Sequence, residues 1–188
     1  MIRKANIADA DQLVELMMLA MGDLPLKFAA TADKQTAFLL LKKFVLLDGN
    51  QYSLSNTLVY VAENKVVGAI NGYDGGKIEK LRKPFFEYIS KKYHNGGFDM
   101  DVESEAGEFY IDTLAVNPNY QGKGIGKDLI KQVMSHAQKI GFNKIGLLVS
   151  NPDAKRLYEK IGFEKVGYRI LLGNTHEHLV FRVTSFRT

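Results

Sequence analysis

A chain of 188 residues can bury a hydrophobic core without metal or disulfide support, and 46% hydrophobic, 24% charged and 11% aromatic residues are ordinary values for a soluble globular protein. There is no cysteine, which excludes disulfides, thiolate metal sites, a C-x-x-C redox pair and a cysteine nucleophile. The net charge of +4 is mild; Met1 to Asn6 lacks the apolar stretch of a signal peptide, and the apolar runs 38–41 and 44–47, split by Lys42 and Lys43, are too short to span a bilayer, so a cytoplasmic chain that engages no membrane is expected.

Asp9 opens a helical pattern in which Leu13, Leu16, Met17 and Ala20 recur, with Asp9 as the expected N-cap and Gln12 at the capping-box position. Residues 34–47 form a second apolar-rich helix. Residues 57–62 and 65–72 read as a hairpin turning at Glu63-Asn64. Residues 73–107 follow as an insert over the core, too short to own one: 77–93 looks helical apart from Pro84, and His94-Asn95-Gly96-Gly97 is a loop. Residues 108–116 alternate as a strand, with Phe109, Ile111 and Thr113 on one face and Tyr110, Asp112 and Leu114 on the other, ended by Asn117-Pro118. After a glycine-rich turn, residues 127–140 carry a helical apolar stripe (Leu129, Ile130, Val133, Met134, Ala137, Ile140) stopped by Gly141. A buried strand at 144–149, a short helix at 153–161 stopped by Gly162, and strands at 164–172 and 178–183 complete one α/β domain over residues 1–188.

Charge is uneven along the chain. From Tyr93 to Gly122 there is no lysine or arginine, while Asp99, Asp101, Glu103, Glu105, Glu108 and Asp112 fall there; from Lys123 to Lys165 nine basic residues face four acidic ones. One stretch suits a cationic ligand and the other an anionic one, although charge runs also serve simply as solvated faces.

Gln121-Gly122-Lys123-Gly124-Ile125-Gly126 lies between a strand and an amphipathic helix. Glycines admit a ligand close to the backbone, and a helix start offers unpaired N–H groups and the positive end of its dipole, which suits a pyrophosphate. A P-loop and a dinucleotide G-x-G-x-x-G both fail, because position 127 is lysine rather than glycine. What remains is Q-x-x-G-x-G. With Leu114-Ala115-Val116-Asn117-Pro118-Asn119-Tyr120 before it, and Asn151-Pro152-Asp153-Ala154-Lys155-Arg156-Leu157-Tyr158-Glu159-Lys160-Ile161-Gly162-Phe163 at the right distance after it, this stretch resembles the GNAT superfamily of N-acetyltransferases. The resemblance is strong over residues 108–168, weak over the first strand and the 57–72 hairpin, and silent on 22–56 and 73–107.

The resemblance implies a mixed, mostly antiparallel sheet flanked by helices, with the strands at 108–116 and 144–149 splayed around the pantetheine arm of acetyl-CoA, a cosubstrate; no metal is needed. Backbone groups of the run Leu114, Ala115, Val116 would hold that arm with help from Asn151. The turn from Gln121 through Gly122, Lys123, Gly124, Ile125 and Gly126 to Lys127 would hold the pyrophosphate. Lys123, Lys127, Lys155 and Arg156 stand where they could neutralise phosphate, and equally where solvated helix residues belong.

Acetyl transfer to an amine needs a base for the ammonium proton, a donor for the oxyanion and an acid for the leaving sulfur. Tyr158, at the family's tyrosine position, is the candidate acid and also borders the cofactor; its alternative is an aromatic packed beside Leu157 and Ile161. The Val116 amide is the candidate oxyanion donor. Asp112 is the first candidate base, with Glu108 one step further out on the same face, though Asp112 could equally cap a turn or pair with a lysine. His176 and His178, two apart on a hairpin, lack a third ligand for a metal site, and no G-x-S-x-G elbow is present. The expected partner is a small-molecule amine, cationic by the acidic run; no nucleic acid is expected, and a homodimer is left open. The competing readings are a non-catalytic acyl-CoA-binding sensor of the same fold and a nucleic-acid-binding module suggested by the pI of about 9.1.

Overall fold

A computed structural model describes residues 1–183. In chain order the elements are β1 (Ile2–Lys4), α1 (Ala10–Met21), α2 (Leu24–Phe28), α3 (Lys34–Val45), β2 (Thr57–Ala62), β3 (Lys65–Asp74), α4 (Ile78–Tyr93), β4 (Phe109–Val116), α5 (Ile125–Lys139), β5 (Lys144–Val149), α6 (Pro152–Ile161), β6 (Glu164–Leu171) and β7 (Asn174–Arg182). The seven strands form one sheet in the order β1-β2-β3-β4-β5-β7-β6. β4 and β5 are parallel, and the other neighbours are antiparallel. This is the mixed, mostly antiparallel sheet that the resemblance implies. No helix among the described residues is long and apolar enough to cross a membrane.

Each face of the sheet buries its own apolar cluster. On one face Val59, Val66, Ala69 and Ala115 pack against α1, α3 and α4. On the other, Val67, Ile70, Ile111, Ile145, Leu147 and Leu179 pack against the α5 stripe of Ile125, Leu129, Ile130, Val133 and Ala137. Segment 73–107 contributes to the first cluster rather than lying over it. Phe85 of α4 sits with its ring centroid 5.0 Å from Phe28, 4.9 Å from Phe44 and 5.0 Å from Tyr52, in edge-on pairs. Helix α2 and the aromatic contacts that bind 22–56 to α4 had no periodic signal in the sequence.

Local chemistry sets the element ends, not always at the expected residue. At Glu63-Asn64 both residues have positive φ (51° and 59°), the turn that a tight two-residue hairpin requires. Asn6, rather than Asp9, opens the first helical segment: its side chain accepts from the Ala8 amide (2.9 Å), and Asp9 returns a bond to the Asn6 amide (2.8 Å) around a 3-10 turn. Asp9 is buried, and its hydrogen bonds from the Arg3 guanidinium hold its carboxyl below the usual range. Gln12 completes no capping box; it accepts from the Val66 amide (2.7 Å) and ties α1 to β3. α5 starts at Ile125 instead of 127, and β7 starts at Asn174 instead of 178.

A buried ionic clamp fastens β4 to β5. Glu108, fully buried, accepts from His178 Nε2 of β7 (3.1 Å) and from the Glu105 amide (2.9 Å), with Lys144 Nζ at 3.5 Å. Glu105 binds Lys144 (2.8 Å) and Arg169 of β6. The Glu108 carboxyl lies flat on Gly146, where a Cβ would overlap it. Gly146→Ala should therefore overpack the clamp and cost about 1–3 kcal/mol, read as a melting temperature several degrees below wild type. An unchanged melting temperature would show that Glu108 is free to move aside.

Candidate functional site

The parallel pairing of β4 and β5 lasts for three residues: Phe109 opposite Ile145, Tyr110 opposite Gly146, and Ile111 opposite Leu147. Beyond them the strands part. On its other edge β4 stays paired to β3, with one irregularity: Ile111 faces Gly72 and Thr113 faces Asn71, so Asp112 is an extra, bulged residue. The bulge exchanges the faces of the strand. Phe109 and Ile111 join the α5-side cluster before it and Leu114 and Val116 after it, while Ala115 turns to the α1 side. The strict alternation expected over 108–116, with Thr113 beside Ile111 and Leu114 beside Asp112, is thus corrected at Asp112. A single inserted residue leaves the hydrophobic pattern intact and reverses its sense.

The backbone directions after the bulge follow from one bond. Asn117 donates its amide to Val67 O (2.8 Å) on β3. Successive amides along a strand alternate between its two edges, so those of Val116 and Leu114 turn to the opposite edge, into the parting beside β5. Val116 O turns the same way and accepts from Gln121 Nε2 (3.0 Å), which anchors the following turn.

That turn is a run of free amides. Gly122 and Gly124 have φ of 76° and 83°, which non-glycine side chains rarely adopt, and nothing lies within 4 Å of where their Cβ atoms would be. Among the described residues no hydrogen bond uses the amides of residues 122–127; the first pairing in α5 is Asp128 N to Gly124 O (3.0 Å). Open space, unpaired donors and the positive end of a fifteen-residue helix coincide here. These are the features a diphosphate requires. Of the basic candidates, Lys123 lies over the Tyr120 ring (4.8 Å to its centroid) and Lys127 is exposed. Lys155 is held by Glu177 (2.6 Å) and Glu159 (3.6 Å), and Arg156 pairs with Asp153.

Helix α6 closes the parting from the β5 side. Asn151 caps it, its Oδ1 accepting from the amides of Asp153 (2.8 Å) and Ala154 (3.3 Å), which leaves its amide nitrogen available. A Cβ on Gly126 would lie 3.4 Å from Leu157 and 3.7 Å from Val116, so the ends of β4, α5 and α6 meet at this point. Tyr158 is 7% exposed and packs edge-on against Phe163 (5.7 Å). Its hydroxyl has no hydrogen-bond partner among the described residues, and burial pushes its pKa well above the ordinary value, so it stays a proton donor at neutral pH.

On the far side of the bulge, Asp112 caps no turn and meets no lysine. It accepts from the Tyr73 hydroxyl (2.5 Å). Burial raises it to about 6 against the lowering effect of that bond. Glu103, 8% exposed, is raised to about 8 by burial first and by the Asp112 charge second, with Arg82 opposing. The two carboxyls titrate as one coupled pair. The phenols of Tyr52, Tyr73 and Tyr110 are all raised well above their ordinary value by burial and by both charges. Tyr110 and Asp112 do share a face, as the alternation indicated. Glu108 does not join them; it is occupied by the clamp with His178.

The acidic run of the sequence thus divides. Glu105 is neutralised by Lys144 and Arg169, cations distant in sequence, so the run is not unneutralised as its composition suggested. Asp99 and Asp101 are exposed, whereas Glu103 is buried like Glu108 but outside the clamp. Glu103 was visible as part of the run but not as a site residue. Tyr73 and the bulge carried no sequence signal. Among the described residues there is no group of three or more metal-ligating side chains.

Residues 28–163 match the model of the acetyltransferase (GNAT) family, and the chain belongs to that family. It is 36% identical over 62 residues to N-alpha-acetyltransferase RimI of Mycobacterium tuberculosis, covering 33% of this chain and 39% of the relative. It is 29% identical over 69 residues to spermine/spermidine N(1)-acetyltransferase of Bacillus subtilis, covering 35% of this chain and 45% of the relative. The matches span less than half the length of these two relatives. Among solved structures, an N-acetyltransferase from Staphylococcus aureus Mu50 superposes with a TM-score of 0.84 at 27% identity, over 96% of this chain and 100% of that one.

The carboxyl pair makes stability fall as pH rises. Both groups bind protons more tightly folded than unfolded, so between about pH 4 and pH 8 the folded chain holds more protons, and its stability drops across that window. Asp112→Asn removes one share of the penalty. Its melting temperature relative to wild type should climb between about pH 4 and pH 7, by the equivalent of on the order of 1–3 kcal/mol. Parallel melting curves across that range would contradict a raised Asp112.

Proposed function

We propose that the protein transfers the acetyl group of acetyl-CoA directly to the amine of a small cationic acceptor. One observation carries this reading: the β4–β5 parting runs from a row of unpaired amides at residues 122–127 to a raised carboxyl at Asp112, with a buried, unbonded phenol, Tyr158, on the helix that closes it. Family membership and the Bacillus relative, a polyamine acetyltransferase by name, support the same reading. A cytosolic setting agrees with the cysteine-free chain.

In this reading the amides of residues 122–127 hold the pyrophosphate, and those of Leu114 and Val116 hold the pantetheine arm and the thioester carbonyl. The acceptor arrives as an ammonium. Asp112 takes one proton, and the freed lone pair attacks the thioester carbon. The oxyanion forms against the Val116 amide, where a fixed dipole needs no reorganisation. The C–S bond breaks, Tyr158 gives its proton to the thiolate, and the nitrogen sheds its second proton. Once Tyr158 is reprotonated, one proton is released per amide formed. A base near 6 is ionised at neutral pH yet basic enough to accept a proton, the compromise that general-base catalysis favours. A sensor that merely bound acyl-CoA would gain nothing from this pair of raised carboxyls.

Thiol release from acetyl-CoA with a panel of amines tests the activity, and Tyr158→Phe tests the acid. The variant loses one hydroxyl and little volume, so turnover should fall on the order of 10²-fold with acetyl-CoA affinity unchanged. Wild-type turnover in the variant would return Tyr158 to packing alone.

A further inference from the structure

Three buried side-chain oxygens have no hydrogen-bond partner on the face of the sheet that carries Asp112: Glu103 Oε1, Gln51 Oε1 and Asn71 Oδ1. All three are acceptors, and buried acceptors are rarely left unmet. They are linked through their neighbours. Asn71 donates to Gln51 O (3.1 Å) and to Thr57 Oγ1 (3.0 Å), and it sits opposite Thr113, the residue after the bulge. The Tyr52 phenol, next in the chain to Gln51, is raised by burial first and then by the charges of Asp112 and Glu103.

Glu103 is held there by a built loop. Arg82 of α4 donates to Met100 O (2.8 Å) and Asp101 O (3.2 Å) just before it, and Ser104 donates to Gly75 O (2.8 Å) just after it. Arg82 gives its Nη1 to those carbonyls and, among the described residues, forms no ion pair with Glu103, although its charge opposes the rise. A buried carboxyl with one unmet oxygen is therefore held within reach of the Asp112 charge, an arrangement that costs stability unless the carboxyl stays protonated or a cation arrives.

We propose that Glu103 seats the ammonium group of the acceptor beside Asp112, so that the loop at residues 94–108 selects a cationic amine. An alkylammonium brings N–H donors to a carboxyl oxygen that no donor among the described residues meets. The inference rests on the acyl-transfer reading only in taking the seated amine to be the second substrate. It also predicts proton release. In the empty site burial and the charge of Asp112 favour protonated Glu103, against Arg82 and among the Tyr52, Tyr73 and Tyr110 phenols; an arriving ammonium favours the carboxylate and drives the proton into the buffer.

The test is calorimetry of spermidine binding to the CoA-loaded protein in two buffers of different ionisation enthalpy, with steady-state kinetics alongside. Glu103→Gln should weaken spermidine binding and raise its KM on the order of tenfold or more, abolish the proton release, and leave acetyl-CoA affinity unchanged. Asp99→Asn and Asp101→Asn, on the exposed part of the same run, should bind spermidine like wild type. The seat is overturned if Glu103→Gln binds spermidine as wild type does, if the two exposed variants weaken it as much, or if wild type binds no spermidine. Should Glu103→Gln fail to fold, Glu103→Asp decides, with retained proton release and weaker binding supporting the seat and wild-type binding overturning it. A wild type that binds spermidine with proton release but frees no thiol sinks the acyl-transfer reading and leaves the seat standing.

Discussion

Parallel strands β4 and β5 share three residue pairs and then separate, and the rest of the molecule is arranged around that separation. A strand edge left unpaired inside a protein exposes amides and carbonyls that need partners. Here the edge belongs to Leu114 and Val116, and among the described residues Val116 O finds one, in the Gln121 side chain. The clamp of Glu108, His178 and Lys144 holds the strands together up to the point of parting, and Gly146 lets the carboxyl lie against the backbone. The bulge at Asp112 falls one residue later. Position along β4 thus fixes surroundings: Glu108 is enclosed by the clamp, Asp112 meets the Tyr73 hydroxyl, and Leu114 and Val116 present backbone to the gap.

Two pairs of carboxylates, interleaved in the chain between residues 103 and 112, are treated in opposite ways. Glu105 and Glu108 have cations and amides around them, and Glu105 is held below its usual range, first by Lys144. Glu103 and Asp112 have a phenol, a distant guanidinium and each other, and both are raised. Several kcal/mol for a poorly compensated buried charge is a large part of the 5–15 kcal/mol that holds a domain together. The chain pairs Glu105 with two cations and, among the described residues, leaves Glu103 Oε1 unmet, the oxygen the proposed ammonium would take.

The sequence disclosed what is local. The Glu63-Asn64 hairpin, the α5 stripe, the stops at Gly141 and Gly162 and the glycine turn before α5 each rest on a few adjacent residues with one conformational preference. The tertiary features were hidden because their partners are far apart in the chain. Lys144 and Arg169 reach Glu105 from 39 and 64 residues away, and Tyr73 reaches Asp112 from 39. The bulge escaped because a strand with one extra residue reads the same as a regular one until its neighbour's register is known. Glu103 stood in plain sight as one of several acidic residues; only burial separates it from Asp99 and Asp101.

Whether the free amides of the parting and of the turn receive acetyl-CoA is measured most directly by titrating isotope-labelled protein with acetyl-CoA and following the backbone amide resonances. The largest shifts should fall on Leu114, Val116 and residues 122–127. Shifts that leave residues 114–127 unchanged while acetyl-CoA binds elsewhere, or no binding at millimolar acetyl-CoA, would contradict binding at these amides.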